Sequence, residues 1–337
     1  MMATVNIGVV GATGLVGEMT LNQLAERNFP VKNLRLFASF RSRGKTLTWK
    51  GQEFTVEAIE EGSFRDCQLV FCCAGTEISR EVVPQAVAEG AVVIDKSNAF
   101  RLEKDVPLVV PEVNRHQLST HQGIIANPNC TTIQLTVALA PLAQRVGLTR
   151  VVVSTYQSVS GSGRQAVEEL SRSSHQVLRG ERPDKGVYPH PIAFNLLPHI
   201  DGFDEAGFSG EERKLMGETQ KILSLATLPL TATAIRVPVF YGHGISVMAE
   251  TRDAVTPDEV RQLMSQQEGL KVVDDVKFLD YPMPVDAAGQ DEVLVGRIRQ
   301  DECFNRALHF WVVADNLRKG AATNAVQIAE CLLDDLG

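Results

Sequence analysis

The sequence predicts an α/β protein in two domains, the first built on a doubly wound parallel sheet and the second of α+β type. Three observations carry this reading. The chain has 337 residues, more than one hydrophobic core usually serves, with a single barrel as the main alternative. Short apolar runs alternate with helically spaced ones through roughly residues 1–127. From Val151 the texture changes to longer strand-like runs separated by helices.

Val5–Val10 reads as a short buried strand that leads through a glycine-rich turn into a helical segment, Glu18–Arg27. Strand signals recur at Leu34–Ala38, Leu69–Ala74 and Val92–Asp95, and Glu81–Glu89 between the last two has helical spacing. Beyond the first domain, Val151–Tyr156, Thr231–Tyr241 and Ile245–Thr251 read as strands, and Gly163–Leu178 and Gly210–Leu225 as helices. Ala321–Leu336 follows Gly320 and is apolar at helical spacing, which predicts a terminal helix. We place the first domain at 1–127, with a terminal helix over 318–337 packing back on it, and the second domain at 128–317.

Composition excludes several classes of function. The balance of 44% hydrophobic and 22% charged residues is that of a globular chain. A net charge of −8 with no basic stretch argues against a nucleic-acid partner. The first ten residues lack a basic region, a long apolar core and a cleavage site, and no run reaches transmembrane length, so no membrane is expected. Six scattered cysteines give neither a disulfide framework nor a C-x-x-C zinc pair, so no metal is expected and a reducing cytoplasm fits best.

Gly8, Gly11, Gly14 and Gly17 fall three apart at the first strand–helix junction, within Gly11-Ala12-Thr13-Gly14-Leu15-Val16-Gly17. Glycines there permit a tight turn and let backbone N–H groups and the helix N-terminus approach a pyrophosphate. Together with the β/α alternation, this describes a Rossmann-type dinucleotide-binding domain. NAD-specific sites commonly carry an acid at the end of the second strand, where it accepts from the ribose 2′-OH. Here that strand runs into Ala38-Ser39-Phe40-Arg41-Ser42-Arg43-Gly44-Lys45. Hydroxyl donors and cations suit a 2′-phosphate, so NADP is the expected cofactor, with Ser39, Arg41 and Ser42 as its contacts.

Asn127-Pro128-Asn129-Cys130-Thr131-Thr132-Ile133-Gln134 places a cysteine after a turn and at the start of a helical run. At a helix N-terminus the partial positive charge and unpaired N–H groups favour a thiolate, which marks Cys130 as a nucleophile. Of the seven histidines, His243 alone lies between glycines, in Gly242-His243-Gly244. Such a turn leaves an imidazole approachable and makes His243 the candidate general acid/base.

Taken together these segments resemble the aspartate-β-semialdehyde dehydrogenase family along nearly the whole chain. The glycine turn, Ala38–Gly44, Pro107–Asn114 and Asn127–Gln134 match its motifs in order. So do Ser154–Gly161, Ile192–Asn195, Glu211–Lys214, Arg236–His243 and Trp311–Asn316. The resemblance implies a second, catalytic and dimerisation domain of the glyceraldehyde-3-phosphate-dehydrogenase-like type, and a homodimer. It implies NADPH-dependent reduction of β-aspartyl phosphate to aspartate semialdehyde and phosphate, in the synthesis of lysine, diaminopimelate, threonine and methionine. Cys130 would displace phosphate to form a thioacyl-enzyme, Gln157 would orient the acyl group, and His243 would serve as general acid/base. By the same resemblance Arg236 and Asn129 bind substrate, Glu211 faces its α-amino group and Arg101 and Lys214 take the phosphate. Ser160, Gly161 and Asn316 would contact the cofactor.

The sequence departs from the family pattern at Asp95-Lys96-Ser97-Asn98, where Lys96 adds a cation that either alters phosphate or NADP affinity or points to solvent. Cys72-Cys73 replaces a common F-S pair, and we read both thiols as packing. Two other functions compete. An N-acetyl-γ-glutamyl-phosphate reductase shares the cysteine, histidine and NADP, but Glu211 would be misplaced against an acetamide. A non-catalytic NADP-binding relative should lack the cysteine, glutamine or histidine, yet Cys130, Gln157 and His243 are all present.

Overall fold

In the computed structural model, residues 4–184 and 186–336 are described, so that Met1–Ala3 and Gly337, at the ends of the two segments assigned to the first domain, lie outside them. The chain divides into two compact units, Met1–Asn129 with Ala321–Gly337, and Cys130–Gly320. The sequence reading places its divisions at 127/128 and 317/318.

The first unit opens with β1 (Val5–Val10), α1 (Leu15–Glu26) and β2 (Val31–Phe37), followed by β3 (Thr46–Trp49), β4 (Gln52–Glu57) and β5 (Leu69–Cys72). After these come α2 (Thr76–Ala88), β6 (Val92–Asp95), a single-turn α3 (Pro111–Asn114) and β7 (Ile124–Ala126). They form a seven-stranded sheet in the order β3-β4-β2-β1-β5-β6-β7. β1 pairs in parallel with both β2 and β5, Val9 opposing Leu36 on one side and Phe71 on the other. Ile7, Val9, Leu36, Val70 and Phe71 are fully buried, as expected of strands covered on both faces. The chain leaves β1 toward β2 on one side and later returns to β5 on the other. The carboxyl end of β1 is therefore the switch point at which such sheets bind ligands. The β3–β4 hairpin, absent from the sequence reading, closes through Lys50 and Gly51 at φ 48° and 76°. Positive φ at both central positions is what a type I′ turn requires.

The second unit contains α4 (Cys130–Arg145), β8 (Leu148–Gln157), α5 (Arg164–Leu178), α6 (Gly210–Ile222), β9 (Leu230–Arg236) and β10 (His243–Thr251). It continues with α7 (Pro257–Ser265), β11 (Leu270–Val272), a short α8 (Pro284–Ala287), β12 (Val293–Gln300) and β13 (Ala307–Ala314). Its six-stranded mixed sheet runs β11-β12-β13-β10-β8-β9, with β10 antiparallel to both β8 and β13 and β9 parallel to β8. α4 lies on β8, β10, β12 and β13, and its residues from Thr131 to Leu142 are all buried. That explains a helix that is apolar nearly all round.

The expected strand Thr231–Tyr241 stops at Arg236. Pro238 has no N–H to extend a ladder, and the segment turns back, Val239 N–H donating to the Val237 carbonyl. α9 (Thr323–Leu336) follows a π-type turn at Arg318–Ala322 and packs on α1 in the first unit. Arg27, the C-cap of α1, grips Glu330 with two nitrogens at 2.8 and 2.6 Å, while Asn324 donates to the Val109 carbonyl and Asn127 Oδ1. Among the described residues no helix is long and apolar enough to cross a membrane.

Candidate active site

In the first unit the glycine turn has the geometry of a dinucleotide cradle. Gly11 adopts φ 77°, and a Cβ there would sit 2.9 Å from the Cys73 carbonyl oxygen, so only glycine fits. A Cβ on Gly17 would lie 2.2 Å from the Gly11 carbonyl, which shows how closely α1 packs on the turn. Gly14 is the N-cap of α1 and is exposed, so Thr13, Gly14, Leu15 and Val16 present the helix start to a ligand. Beyond β2, Ser39 caps a 3-10 turn over Phe40–Ser42, with Arg41 exposed and Ser42 buried. No carboxylate follows β2 directly, where Ala38 and Ser39 stand.

Arg101 is buried, with its guanidinium donating to the carbonyls of Asn127 and Lys96. It is therefore not a surface residue but a cation held against the segment that leads to Asn129 and Cys130. Lys96 points inward, donating to Thr20 Oγ1 on α1 and lying against Cys73 rather than reaching into solvent. Burial lowers its pKa despite the neighbouring thiols. Cys72 bonds Ser79 in the interior, and burial pushes its thiol up to about 12, in keeping with a packing role.

In the second unit Cys130 is the first residue of α4 and half-buried, its Sγ 3.9 Å from Thr131 Oγ1. A Cβ at Gly320 would fall 2.9 Å from Cys130 Cβ, so a glycine is needed for the chain to pass the cysteine. Gly320 N–H in turn donates to the Asp315 carbonyl, beside Asn316. Asn316 Oδ1 then accepts from Ser158 Oγ, Ser160 Oγ and Gly242 N–H at 3.0–3.1 Å. Its Nδ2 is buried with no partner among the described residues.

His243 is not in an open turn. Gly242, at φ 84°, makes the turn, and His243 begins β10 as a fully buried residue. Its Nδ1 accepts from the Ser158 N–H at 3.0 Å, while Nε2 has no partner among the described residues. Burial, then the adjacent Arg236, push its pKa down to about 3, outweighing Glu211 and the Gly242 carbonyl. At neutral pH the ring carries no charge.

Arg236 closes β9 and is buried, its Nη1 donating to the Ser158 carbonyl at 2.7 Å, with Tyr188 facing the guanidinium at 6.0 Å. A Cβ on Gly161 would lie 3.0 Å from Arg236 Nη1 and 3.2 Å from His243 Nε2, so this glycine lets both groups converge. Gln157 ends β8; its Oε1 accepts from Thr155 and its Nε2 donates to Glu211 Oε1 at 2.9 Å. The other Glu211 oxygen meets Lys214 at 3.1 Å. Burial pulls the Lys214 ammonium down, but Glu211 and Asp201 outweigh it and its pKa ends above the ordinary lysine value. Both residues ride on the first turns of α6, fixed by a capping box between Ser209 and Glu212. Glu212 also accepts from Ala234 N–H, tying α6 to the strand that carries Arg236.

Contacts thus join Gln157, Ser160, Gly161, Glu211, Lys214, Arg236, His243 and Asn316, with Cys130 linked through Gly320. The remaining expected residues, Gly11 to Val16, Ser39, Arg41, Ser42, Arg101 and Asn129, belong to the first unit. Sequence reasoning missed Ser158, Thr155, Glu212 and Gly320. Ser209-Gly210-Glu211-Glu212 was legible as a capping box, whereas nothing local marks Ser158 or Gly320.

A family model described as semialdehyde dehydrogenase, NAD binding domain, matches residues 6–121, and one described as semialdehyde dehydrogenase, dimerisation domain, matches 139–319. The aspartate-semialdehyde dehydrogenase of Aquifex aeolicus is 50% identical over 333 residues, covering 98% of each chain. Crystal structures of aspartate semialdehyde dehydrogenase II from Vibrio cholerae, alone and complexed with ASA, superpose with a TM-score of 0.96 at 44% identity over 99% of each chain. The Candida albicans enzyme, described with NADP, gives a TM-score of 0.78 at 26% identity over 98% of each chain.

Proposed function

The chain belongs to the semialdehyde dehydrogenase family, with aspartate-semialdehyde dehydrogenases as its full-length relatives, and on that premise we propose that it reduces β-aspartyl phosphate with NADPH to aspartate semialdehyde and phosphate. The observation that carries this reading is the buried Glu211 carboxylate bridged to Gln157 and Lys214, on the helix turn whose Glu212 is tied to the strand that carries Arg236. A carboxylate of this kind suits a substrate with an unblocked α-amino group, and Arg236 suits its α-carboxylate.

Cys130 attacks the acyl carbon; the C–S bond forms as the bond to phosphate breaks, leaving a thioacyl-enzyme. The leaving phosphate is taken by Arg101 and Lys214, while Asn129 and Gln157 hold the acyl group. His243 acts as general acid/base. In the first unit the glycine cradle from Gly11 to Gly17 suits a dinucleotide pyrophosphate, and in the second unit Asn316, bonded by Ser160, is with Ser160 and Gly161 a proposed cofactor contact. When bound, NADPH supplies the hydride that reduces the acyl carbon. NADP over NAD is supported by Ser39, Arg41 and Ser42 beyond β2 and by the Candida relative's cofactor. We further propose a cytoplasmic homodimer acting in lysine, threonine and methionine synthesis, the match to a dimerisation domain supporting the assembly.

The test is phosphate-dependent reduction of NADP, or of NAD, with aspartate semialdehyde and, separately, N-acetylglutamate semialdehyde. Preference for NADP and for aspartate semialdehyde is the expected result. Preference for the acetylated substrate would overturn the assignment.

A further inference from the structure

Lys96 is an inward-turned cation without an anion. It follows β6 directly, and its backbone N–H donates to the Cys72 carbonyl at the end of β5. Its ammonium donates to the hydroxyl of Thr20, a fully buried residue on α1. From β5 and the residue after it, the groups that face the ammonium are the thiols of Cys72 and Cys73. Asp95, its neighbour in the chain, turns its carboxylate to Ser79 and Ser97 instead. From the segment after β6, Arg101 donates to the Lys96 carbonyl and brings a second cation. Among the described residues no carboxylate forms an ion pair with Lys96. A charge taken out of water is costly unless an anion meets it, and burial does lower the Lys96 pKa, which the sulfur neighbours offset only in part.

The position of the ammonium says where an anion would come from. Thr20 Oγ1, which receives the ammonium, donates in turn to the Val16 carbonyl at 2.7 Å in the first turn of α1. Cys73, against which the ammonium lies, is the residue whose carbonyl excludes a Cβ at Gly11. Lys96 therefore touches one neighbour of each end of the glycine cradle, Gly11 and Val16. Thr20 stands five residues along α1 from Leu15, about 7.5 Å of helix rise from its start. That helix start carries only about half a positive charge, whereas a pyrophosphate carries more than one negative charge. A full cation below the cradle supplies the remainder.

We propose that Lys96, at a position where this chain departs from the family pattern, determines dinucleotide affinity: its ammonium is kept without a protein anion so that the cofactor pyrophosphate becomes its counter-charge. This rests on the dinucleotide reading of the glycine cradle. The pyrophosphate is common to NADP and NAD, so Lys96 strengthens both equally and leaves the choice between them to Ser39, Arg41 and Ser42. Its contribution to stability has the opposite sign. Replacing a poorly paired interior charge by an apolar side chain is neutral or stabilising, so removing this one helps the empty protein and weakens the complex.

The test is Lys96→Met, which keeps a long flexible side chain and removes the charge. Titration calorimetry should show the dissociation constants of NADP and of NAD each raised about tenfold, the order expected of one nearby charge in a protein. Without cofactor, the variant should melt at or above the wild-type temperature. Unchanged dissociation constants overturn the proposal. So does a variant that melts below wild type or fails to fold, because Lys96 is then a structural cation. A loss for NADP alone assigns the ammonium to the 2′-phosphate, and a loss confined to the KM for phosphate assigns it to the substrate beside Arg101; either overturns the proposal. Binding needs no turnover, so a wild-type chain that binds both dinucleotides but is inactive on aspartate semialdehyde would sink the functional reading and leave this test standing. A wild-type chain that binds neither would sink the cradle reading and the proposal with it.

Discussion

Gly161→Ala is a one-atom perturbation aimed at two functional groups at once. The backbone at Gly161 does not require positive φ, so alanine meets no backbone penalty and the effect comes from contact alone. The new methyl would stand 3.0 Å from Arg236 Nη1, 3.2 Å from His243 Nε2 and 3.3 Å from its Cε1. Ordinary contact begins near 3.5 Å, so these groups must yield by roughly 0.3–0.5 Å. Neither yields easily, since Arg236 is bonded to the Ser158 carbonyl and His243 to the Ser158 N–H. If a misplacement of about 1 Å costs about 10²-fold, a shift of this size costs about 4–10-fold in kcat/KM. Overpacking adds about 1–3 kcal/mol of destabilisation.

The assay is the steady-state rate with aspartate semialdehyde, NADP and phosphate, set beside thermal unfolding. Gly51→Ala is the control: Gly51, in the β3–β4 turn of the first unit, has φ 76° with no atom within 4 Å of its Cβ position, so alanine there is strained by about 1–2 kcal/mol without meeting Arg236 or His243. It should lower the melting temperature and leave kcat/KM within about twofold, on the same reasoning that distant strain does not displace reacting groups. A Gly161→Ala enzyme with unchanged kcat/KM would refute the convergence of Arg236 and His243 on this glycine.

Three further outcomes follow from the same geometry. Cys130→Ala should abolish turnover, by about 10³-fold or more, while NADP still quenches or shifts protein fluorescence as it does in wild type; measurable turnover in that variant would remove Cys130 as the nucleophile. Ser209→Ala, which breaks the capping box of α6, should cost about 1 kcal/mol and about 2–4 °C, and should raise KM for the semialdehyde more than it lowers kcat, because Glu211 and Lys214 ride on the loosened turn. His243 should make folding acid-sensitive: its folded pKa near 3 lies below its ordinary 6.5, so the unfolded chain alone binds a proton between the two. That group's stability is complete above about 6.5 and is lost as pH falls toward 3, at roughly 1 kcal/mol per pH unit. Urea midpoints of wild type and His243→Gln should therefore converge as pH falls through this window; parallel curves would contradict the buried neutral ring.

Much of the fold was legible in local patterns. The glycine spacing from Gly8 to Gly17 was legible as a turn because the positive φ at Gly11 and the packing of Gly17 on the Gly11 carbonyl are local, whereas the closeness of Gly11 to the Cys73 carbonyl exists only in the fold. Val92–Asp95 and the helix beginning at Gly210 were legible because burial imposes a period on a continuous segment. The β3–β4 hairpin escaped because its strands are short and half-exposed, with little periodicity to read. Thr231–Tyr241 was drawn too long because apolar β-formers continue past Arg236, where Pro238 and the bridge to Leu197 end the strand.

By itself, the sequence determined which chemistry is on hand: a cysteine at a helix start, a histidine between glycines, a carboxylate and lysine one turn apart, and a cradle for a dinucleotide. Those are covalent identities and short-range spacings. The tertiary structure alone decided their states. It lowered the pKa of His243 by burying it beside Arg236, set an amide 85 residues away in the chain against its Nδ1, and bound Asn316 to Ser158 across 158 residues. Charge and proton position depend on the distance to other groups and on the water excluded between them, and neither quantity exists until the chain has folded.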